Sequence, residues 1–256
     1  MPSLYRRVRA ALRRRLDRSP LLLQRLRPDS DLSKFSLSEL GEDKILWDAL
    51  SNCPDKTYVD VGCFDPFEIS DTWLLYRRGW SGLVVDAQGH LEEAYRRRRP
   101  RDRFRAALLT ADGRNVQFTN SGGVASADEQ WQSIFPGPTS SLASVPVQDF
   151  LERELGPAPS IGLLKIDVEN LDEELLLAIN LTWMRPFCVM VEQHVLWTDQ
   201  VSFTRAHAHL QAQGYRALAQ TRRNVIYVEA DRFRGQRGEL EAVYRTARGW
   251  EQIDAW

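Results

Sequence analysis

Two stretches of this chain are apolar at nearly every position, one with an acid near its end and the other ending on an acid. Tyr58-Val59-Asp60-Val61 runs into Gly62, and Leu83-Val84-Val85 runs into Asp86. Short β-prone runs bounded by turn residues predict strands buried on both faces. Between them, Trp73-Leu74-Leu75-Tyr76 has the pattern of an apolar helical turn. Ser70-Asp71-Thr72 stands before it with side chains suited to a helix start, and Gly79 closes it. Later runs repeat the alternation. Strands are expected at 104–109, 116–118, 161–169 and 187–194, and helices at 36–50, 147–155, 171–179 and 202–213. Residues 215–219 and 225–229 flank a polar turn and predict a closing antiparallel hairpin. Strands alternating with helices predict an α/β fold with a doubly wound sheet.

In such a sheet, ligands sit outside the carboxyl ends of the strands. The unit from Tyr58 to Asp86 reads strand, glycine loop, helix, strand, acid, an arrangement suited to a nucleoside-containing cofactor. Loop amides and the helix start face one end of the ligand, and the acid accepts from ribose hydroxyls. Gly62 and Asp86 are 24 residues apart, close to the roughly 20 expected of a glycine loop and its ribose acid. The loop itself is Gly-Cys-Phe-Asp-Pro, without the several glycines that let a backbone approach a pyrophosphate. One glycine beside Asp60 suits a cofactor without phosphates, such as S-adenosylmethionine. The plain alternative is an α/β crossover that binds nothing. Lys165, Asp167 and Glu169 alternate along the 161–169 strand, so they share one side. Glu192 and His194 end the next strand at the same edge.

Composition narrows the class. A hydrophobic content of 43% and a charged content of 27% are those of an ordinary globular chain, and 256 residues suit one large domain with appendages. The net charge of −1 hides an asymmetry. Residues 1–27 carry nine arginines and one acid, so this arm is +8 and the remainder −9. An acidic body argues against a nucleic-acid partner. The arm suits an anionic partner such as a membrane surface, nucleic acid or a protein, with a membrane surface or protein expected. Residues 4–18 place an apolar stripe at helical spacing among the arginines, which fits either an interfacial helix or a plain extension. Cys53, Cys63 and Cys188 are widely spaced without a Cys-x-x-Cys pair, as expected of reduced thiols in a cytoplasmic setting. No apolar run nears the ~20 residues of a membrane span.

These features divide the chain into a basic arm or helix at 1–30, a catalytic-type domain at 31–235 and a C-terminal helix at 236–256. Residues 119–145, rich in Ser, Gly and Pro, are expected to form a lid. The basic run from Arg96 to Arg105 fits a solvated helix end or a site for an anionic substrate. Ser70 and Thr72 fit helix capping or contact with the cofactor. His90, His207 and His209 lie on polar helical stretches and are given no role.

With these elements placed, the chain resembles the FkbM family of S-adenosylmethionine-dependent O-methyltransferases over roughly residues 36–194. The resemblance rests on Ser38-Glu39-Leu40-Gly41-Glu42-Asp43, Tyr58-Val59-Asp60-Val61-Gly62 and Ser70-Asp71-Thr72, followed by Leu75-Tyr76-Arg77-Arg78-Gly79-Trp80-Ser81-Gly82. It continues through Leu164-Lys165-Ile166-Asp167-Val168-Glu169 and Val191-Glu192. It implies a class I methyltransferase fold, Rossmann-like and doubly wound, with seven strands and the last antiparallel. It also implies methylation of a hydroxyl on a sugar, glycan or glycosylated natural product. Three positions depart from the family pattern: Asp86-Ala87 where glutamate and proline are usual, Glu39 where glutamine is common, and Asn170 where glycine follows the acid.

By this resemblance Asp60 and Gly62 shape the methionine-end pocket, Asp86 binds the ribose, and Ala107 and Leu108 line the adenine. Ser70 and Thr72 are secondary candidates for cofactor contact. Asp167, Glu169, Glu192 and His194 are the candidate bases, with Asp167, Glu192 and His194 foremost as the catalytic set and as an oxygen-rich set able to hold Mg2+. The expected setting is cytoplasmic, with the arm allowing contact with the inner membrane face. Two rivals stand beside this reading: a nucleotide-dependent oxidoreductase or epimerase, and a methyltransferase fold without activity that serves as a binding or recruitment module.

Overall fold

The computed structural model describes residues 36–193, 205–221 and 223–233. The apolar runs assemble into one seven-stranded sheet: β1 (Thr57–Val61), β2 (Ser81–Asp86), β3 (Arg103–Ala106), β4 (Leu163–Ile166), β5 (Cys188–Glu192), β6 (Tyr215–Gln220) and β7 (Asn224–Glu229). Their order is β3-β2-β1-β4-β5-β7-β6. β1 to β5 pair in parallel, whereas β7 runs antiparallel to both β5 and β6. This is the class I methyltransferase arrangement, a Rossmann-like doubly wound sheet whose last strand is reversed.

Alternate residues feed two cores. Val59, Val61, Leu83, Val85, Leu164 and Ile166 face α4 (Val147–Leu155), α5 (Asp172–Ala178) and α6 (Arg205–Ala212), to be read with α1 (Glu42–Ala49), α2 (Trp73–Arg77) and α3 (Glu92–Arg98) on the other side. There Tyr58, Val84, Leu163 and Met190 pack with Leu46 and Tyr95. Near-continuous burial of β1, β2, β4 and β5 is the reason they read as unbroken apolar runs.

Several local expectations change. The first helix starts at Glu42, not near residue 36, because Gly41 takes a left-handed turn at φ 97°. The serines ahead of it grip a carboxylate: Ser36 and Ser38 Oγ and the Leu37 amide all donate to Asp43. The third strand stops at Ala106. The 119–145 segment is not an open loop. Asn115–Thr119 and Thr139–Ala143 pair as an antiparallel hairpin, and a short helix, Glu129–Ile134, sits within it.

The basic run is in part a solvated helix end, where Arg96 and Arg97 stay exposed beside Glu93, and in part taken up by the fold. Arg99 is fully buried, paired with Asp102 at 2.6 Å and donating to Tyr58 Oη, Thr72 Oγ1 and Ser70 Oγ. Burial pulls its pKa down, but the neighbouring Tyr58, Tyr95, Asp102 and Asp60 outweigh that and hold it charged. Arg101 lies over the Tyr76 ring, Arg98 pairs with Asp65 and Arg105 with Glu154. His207, on a stretch of polar pattern, is buried with Nδ1 3.3 Å from Tyr227 Oη. The arm at 1–30, the tail at 236–256 and His194 lie outside the described residues. Among the described residues, no helix is long and apolar enough to cross a membrane.

Candidate functional site

At the carboxyl edge of β1, β2, β4 and β5 lies a cavity of about 300 Å³. That is the lower end of the range for small-molecule sites. It straddles β1 and β4, where the strand order reverses, the usual ligand position in an open α/β sheet.

Gly62 forms its floor. Its φ is +78°, and a Cβ there would lie 1.6 Å from the Asp167 carbonyl oxygen. The backbones of the β1 and β4 ends therefore touch at this point, and the Asp167 amide donates to Val61 O at 2.9 Å. Asp86 ends β2 at the cavity wall. Phe64 N donates to one of its oxygens at 3.0 Å and Gln88 N to the other at 2.8 Å. Each carboxylate oxygen keeps a further lone pair for a ligand hydroxyl. Burial raises the Asp86 pKa against the pull of these amides. Ala107 and Leu108 also line the cavity, and the Ala107 amide bonds to Asp86 O, tying that wall to the acid.

Three expected cofactor contacts are placed elsewhere. Ser70 and Thr72 do not line the cavity, and Thr72 gives no cap to α2. The Thr72 hydroxyl instead donates to Asp60 Oδ2 at 2.7 Å, and Ser70 Oγ and Thr72 Oγ1 both accept from Arg99. Asp60 itself is buried behind the wall, across the sheet register from Lys165. Its carboxylate is taken up by the Thr72 hydroxyl and the Lys165 ammonium.

The residue given no role in the sequence, Lys165, is central. Its Nζ donates to Gly62 O at 3.0 Å and pairs with Asp60 at 3.2 Å, Asp167 at 3.3 Å and Asp71 at 3.8 Å. Burial alone would lower its pKa, but these carboxylates raise it well above that of a free lysine. Asp71 beside it is pushed well up by burial, despite Lys165.

Asp167, Glu169 and Glu192 converge, each offering an oxygen within 4.8 Å of the others. Glu192 shares a hydrogen bond with Asp167, and burial followed by the Asp167 charge raises its pKa well above the ordinary range. Burial and the charges of Asp167 and Asp172 push Glu169 to about 8. Burial and Asp167 push Asp172 to about 7. Asp172 is spent on structure, accepting from the Val168 and Asn170 amides. Glu169 and Asn170 sit at φ 58° and 79°. Asparagine tolerates this left-handed region, so Asn170 can hold this turn in place of a glycine.

The hairpin and the β7 turn complete the walls. Phe118 and residues 122–127 cover the cavity, and Ser126 Oγ donates to Glu169 O at 2.6 Å while Gln88 Nε2 donates to Gly122 O at 3.2 Å. The segment thus lies over the cavity. Asn224 Nδ2 donates to Glu42 Oε1 at 3.2 Å, and Arg223 pairs with Glu39 at 3.1 Å and Glu192 at 3.7 Å. No sequence signal marks Arg223 or Asn224, since they meet Glu192 only because β7 inserts beside β5.

The Glu169 shift gives a pH dependence. Its folded pKa lies above the unfolded value near 4.3, so the folded chain holds the proton longer and stability falls as pH rises through the window from about 4 to 8. Thermal melts of metal-free protein between about pH 5 and 8 should show this fall, and Glu169→Gln should flatten it. Equal slopes in both proteins would refute the assignment.

No family model matches the chain, and no curated protein matches it. Among solved structures, it is similar to a putative O-methyltransferase from Klebsiella pneumoniae. The identity is 13%, the match covers 82% of this chain and 94% of that one, and the TM-score is 0.44.

Proposed function

We propose that this chain is an S-adenosylmethionine-dependent O-methyltransferase of the FkbM type, acting on a hydroxyl of a sugar or glycosylated natural product. The observation that carries the reading is Asp86: an acid at the carboxyl end of β2, held by two loop amides at the wall of a cavity whose floor is Gly62. The Gly62 floor admits a ligand close to backbone, and Ala107 and Leu108 offer a flat apolar wall for a base. The cofactor, when bound, would supply an electrophilic methyl group: the acceptor oxygen's lone pair forms the new C–O bond while the C–S bond breaks and its electron pair stays on sulfur.

The chain's own residues would position the acceptor, exclude water and take the proton. Asp167 is the proton acceptor in this reading. It is the most open of the three acids, with its side chain 26% exposed, and Lys165 steadies it at 3.3 Å. Without a bound cation, Glu192, with its raised pKa, holds its proton and donates to Asp167. The hairpin over the cavity would close out water, and positioning supplies much of the rate.

Calorimetric titration with S-adenosylmethionine and, separately, NADH tests the reading on the native chain and Asp86→Ala. Micromolar binding of the first alone is expected. Loss of hydrogen bonds to a charged acceptor costs about 1.5–3 kcal/mol, so the variant should bind at least about tenfold more weakly. No binding of S-adenosylmethionine to the folded native chain would sink the proposal.

A further inference from the structure

The acids at the β4 and β5 ends outnumber their bases. Among the described residues lining the cavity, seven are acidic, and the basic ones are Lys165 and Arg223. Lys165 is already shared among Asp60, Asp71 and Asp167, and Arg223 between Glu39 and Glu192. A cavity of this kind carries a negative field that favours a cation.

One side chain shows where. Glu169 is only 8% exposed and lines the cavity, yet its Oε2 has no hydrogen-bond partner among the described residues. A buried carboxylate oxygen left so is costly unless something positive meets it. Its nearest acids do not supply that. Asp172 turns both oxygens to amides, and the Ser126 hydroxyl is given to the Glu169 carbonyl, not to the carboxylate.

We infer that Asp167, Glu169 and Glu192 form a binding site for one divalent cation with a preference for oxygen ligands, Mg2+, Mn2+ or Ca2+. Their oxygens lie within 4.8 Å of one another. Metal–oxygen bonds of about 2.0–2.6 Å span about 4–5 Å across such an ion, so one cation can reach all three with small adjustments. The set differs from the one expected from sequence, with Glu169 in the place of His194. Three carboxylates leave part of a six- to eight-membered shell to water and to oxygens of the acceptor. The cation site does not depend on the transferase reading. Its use does: resting on that reading, an acceptor with two adjacent oxygens would chelate the ion, and its hydroxyl would release a proton more readily.

Chelator-stripped full-length protein is titrated with Mn2+, free ion being followed by electron paramagnetic resonance, and with S-adenosylmethionine by calorimetry. One Mn2+ per chain is expected, displaced by Mg2+, and bound at least about tenfold more weakly by Glu169→Gln and by Glu192→Gln. Asp86→Ala should keep the Mn2+ site. No saturable Mn2+ binding, or equal binding by the native chain and both glutamine variants, overturns the cation site. If S-adenosylmethionine still binds in that case, the function proposed above stands. Mn2+ binding without S-adenosylmethionine binding supports the cation site while sinking the transferase reading.

Discussion

Alanine at Gly62 is expected to abolish ligand binding at the cavity and to lower stability by about 2–5 kcal/mol. The left-handed backbone costs about 1–2 kcal/mol for a residue with a Cβ, and overpacking costs about 1–3 more. The obstacle is the Asp167 carbonyl, a backbone atom 1.6 Å from the new carbon, so no side-chain rotation can relieve it. Either β1 or β4 must move, and the Val61–Asp167 hydrogen bond goes with it. At roughly 2–4 °C per kcal/mol for a chain of this size, the melting temperature should fall by roughly 4–20 °C. Gly79 provides the control. It too has a positive φ, +89°, but a Cβ there meets nothing within 4 Å. Gly79→Ala should therefore show the backbone cost alone. Similar melting temperatures for the two variants would mean that the contact between strand ends is not tight.

Lys165→Met should be just as damaging, for an electrostatic reason. The thioether fills the space, but Asp60, Asp71 and Asp167 lose the ammonium that lies between them. Breaking a buried ion pair by removing one partner costs about 3–5 kcal/mol. The loss depends on pH. Lysine with a raised folded pKa contributes fully at every pH below its unfolded value, so the native chain gains the same from Lys165 at pH 5 and pH 8. In the variant, the three acids can be relieved only by taking up protons, which raises their folded pKa values. Stability contributed by such acids falls as pH rises. Denaturant titrations should show a small deficit near pH 5 that widens toward pH 8. A deficit independent of pH would point to packing, not charge.

The sheet was legible because its central strands are buried on both sides and so appear as unbroken apolar runs. Gly62 and Asp86 stood out for the same reason: each ends such a run. Lys165, Asp167 and Glu169 could be placed on one side, yet the role of Lys165 could not be read, since its partners Asp60 and Asp71 come from another strand and a loop. Ser70 and Thr72 misled because a hydroxyl before an apolar turn is the ordinary signature of a cap. Their true partner, Arg99, sits in a run that looks like solvated charge. A strand at 116–118 was legible, but its partner Thr139–Ala143 was hidden by a serine-rich sequence with little β-propensity. Arg223 and Asn224 reach the cavity only through the insertion of β7.

Arg99 bears on how this fold can change over generations. From beneath, its fork of donors fixes Ser70 and Thr72, and through Thr72 the carboxylate of Asp60. Lysine offers no such fork. On the upper side of the same loop, Phe64 and Ile69 face the cavity, and Ile69 is 56% exposed. The loop is thus divided into a half that the interior dictates and a half that it leaves alone. Phe64 and Ile69 sit at φ 45° and 57°, so only substitutions that keep this left-handed backbone can alter what the cavity admits while Arg99 holds the frame.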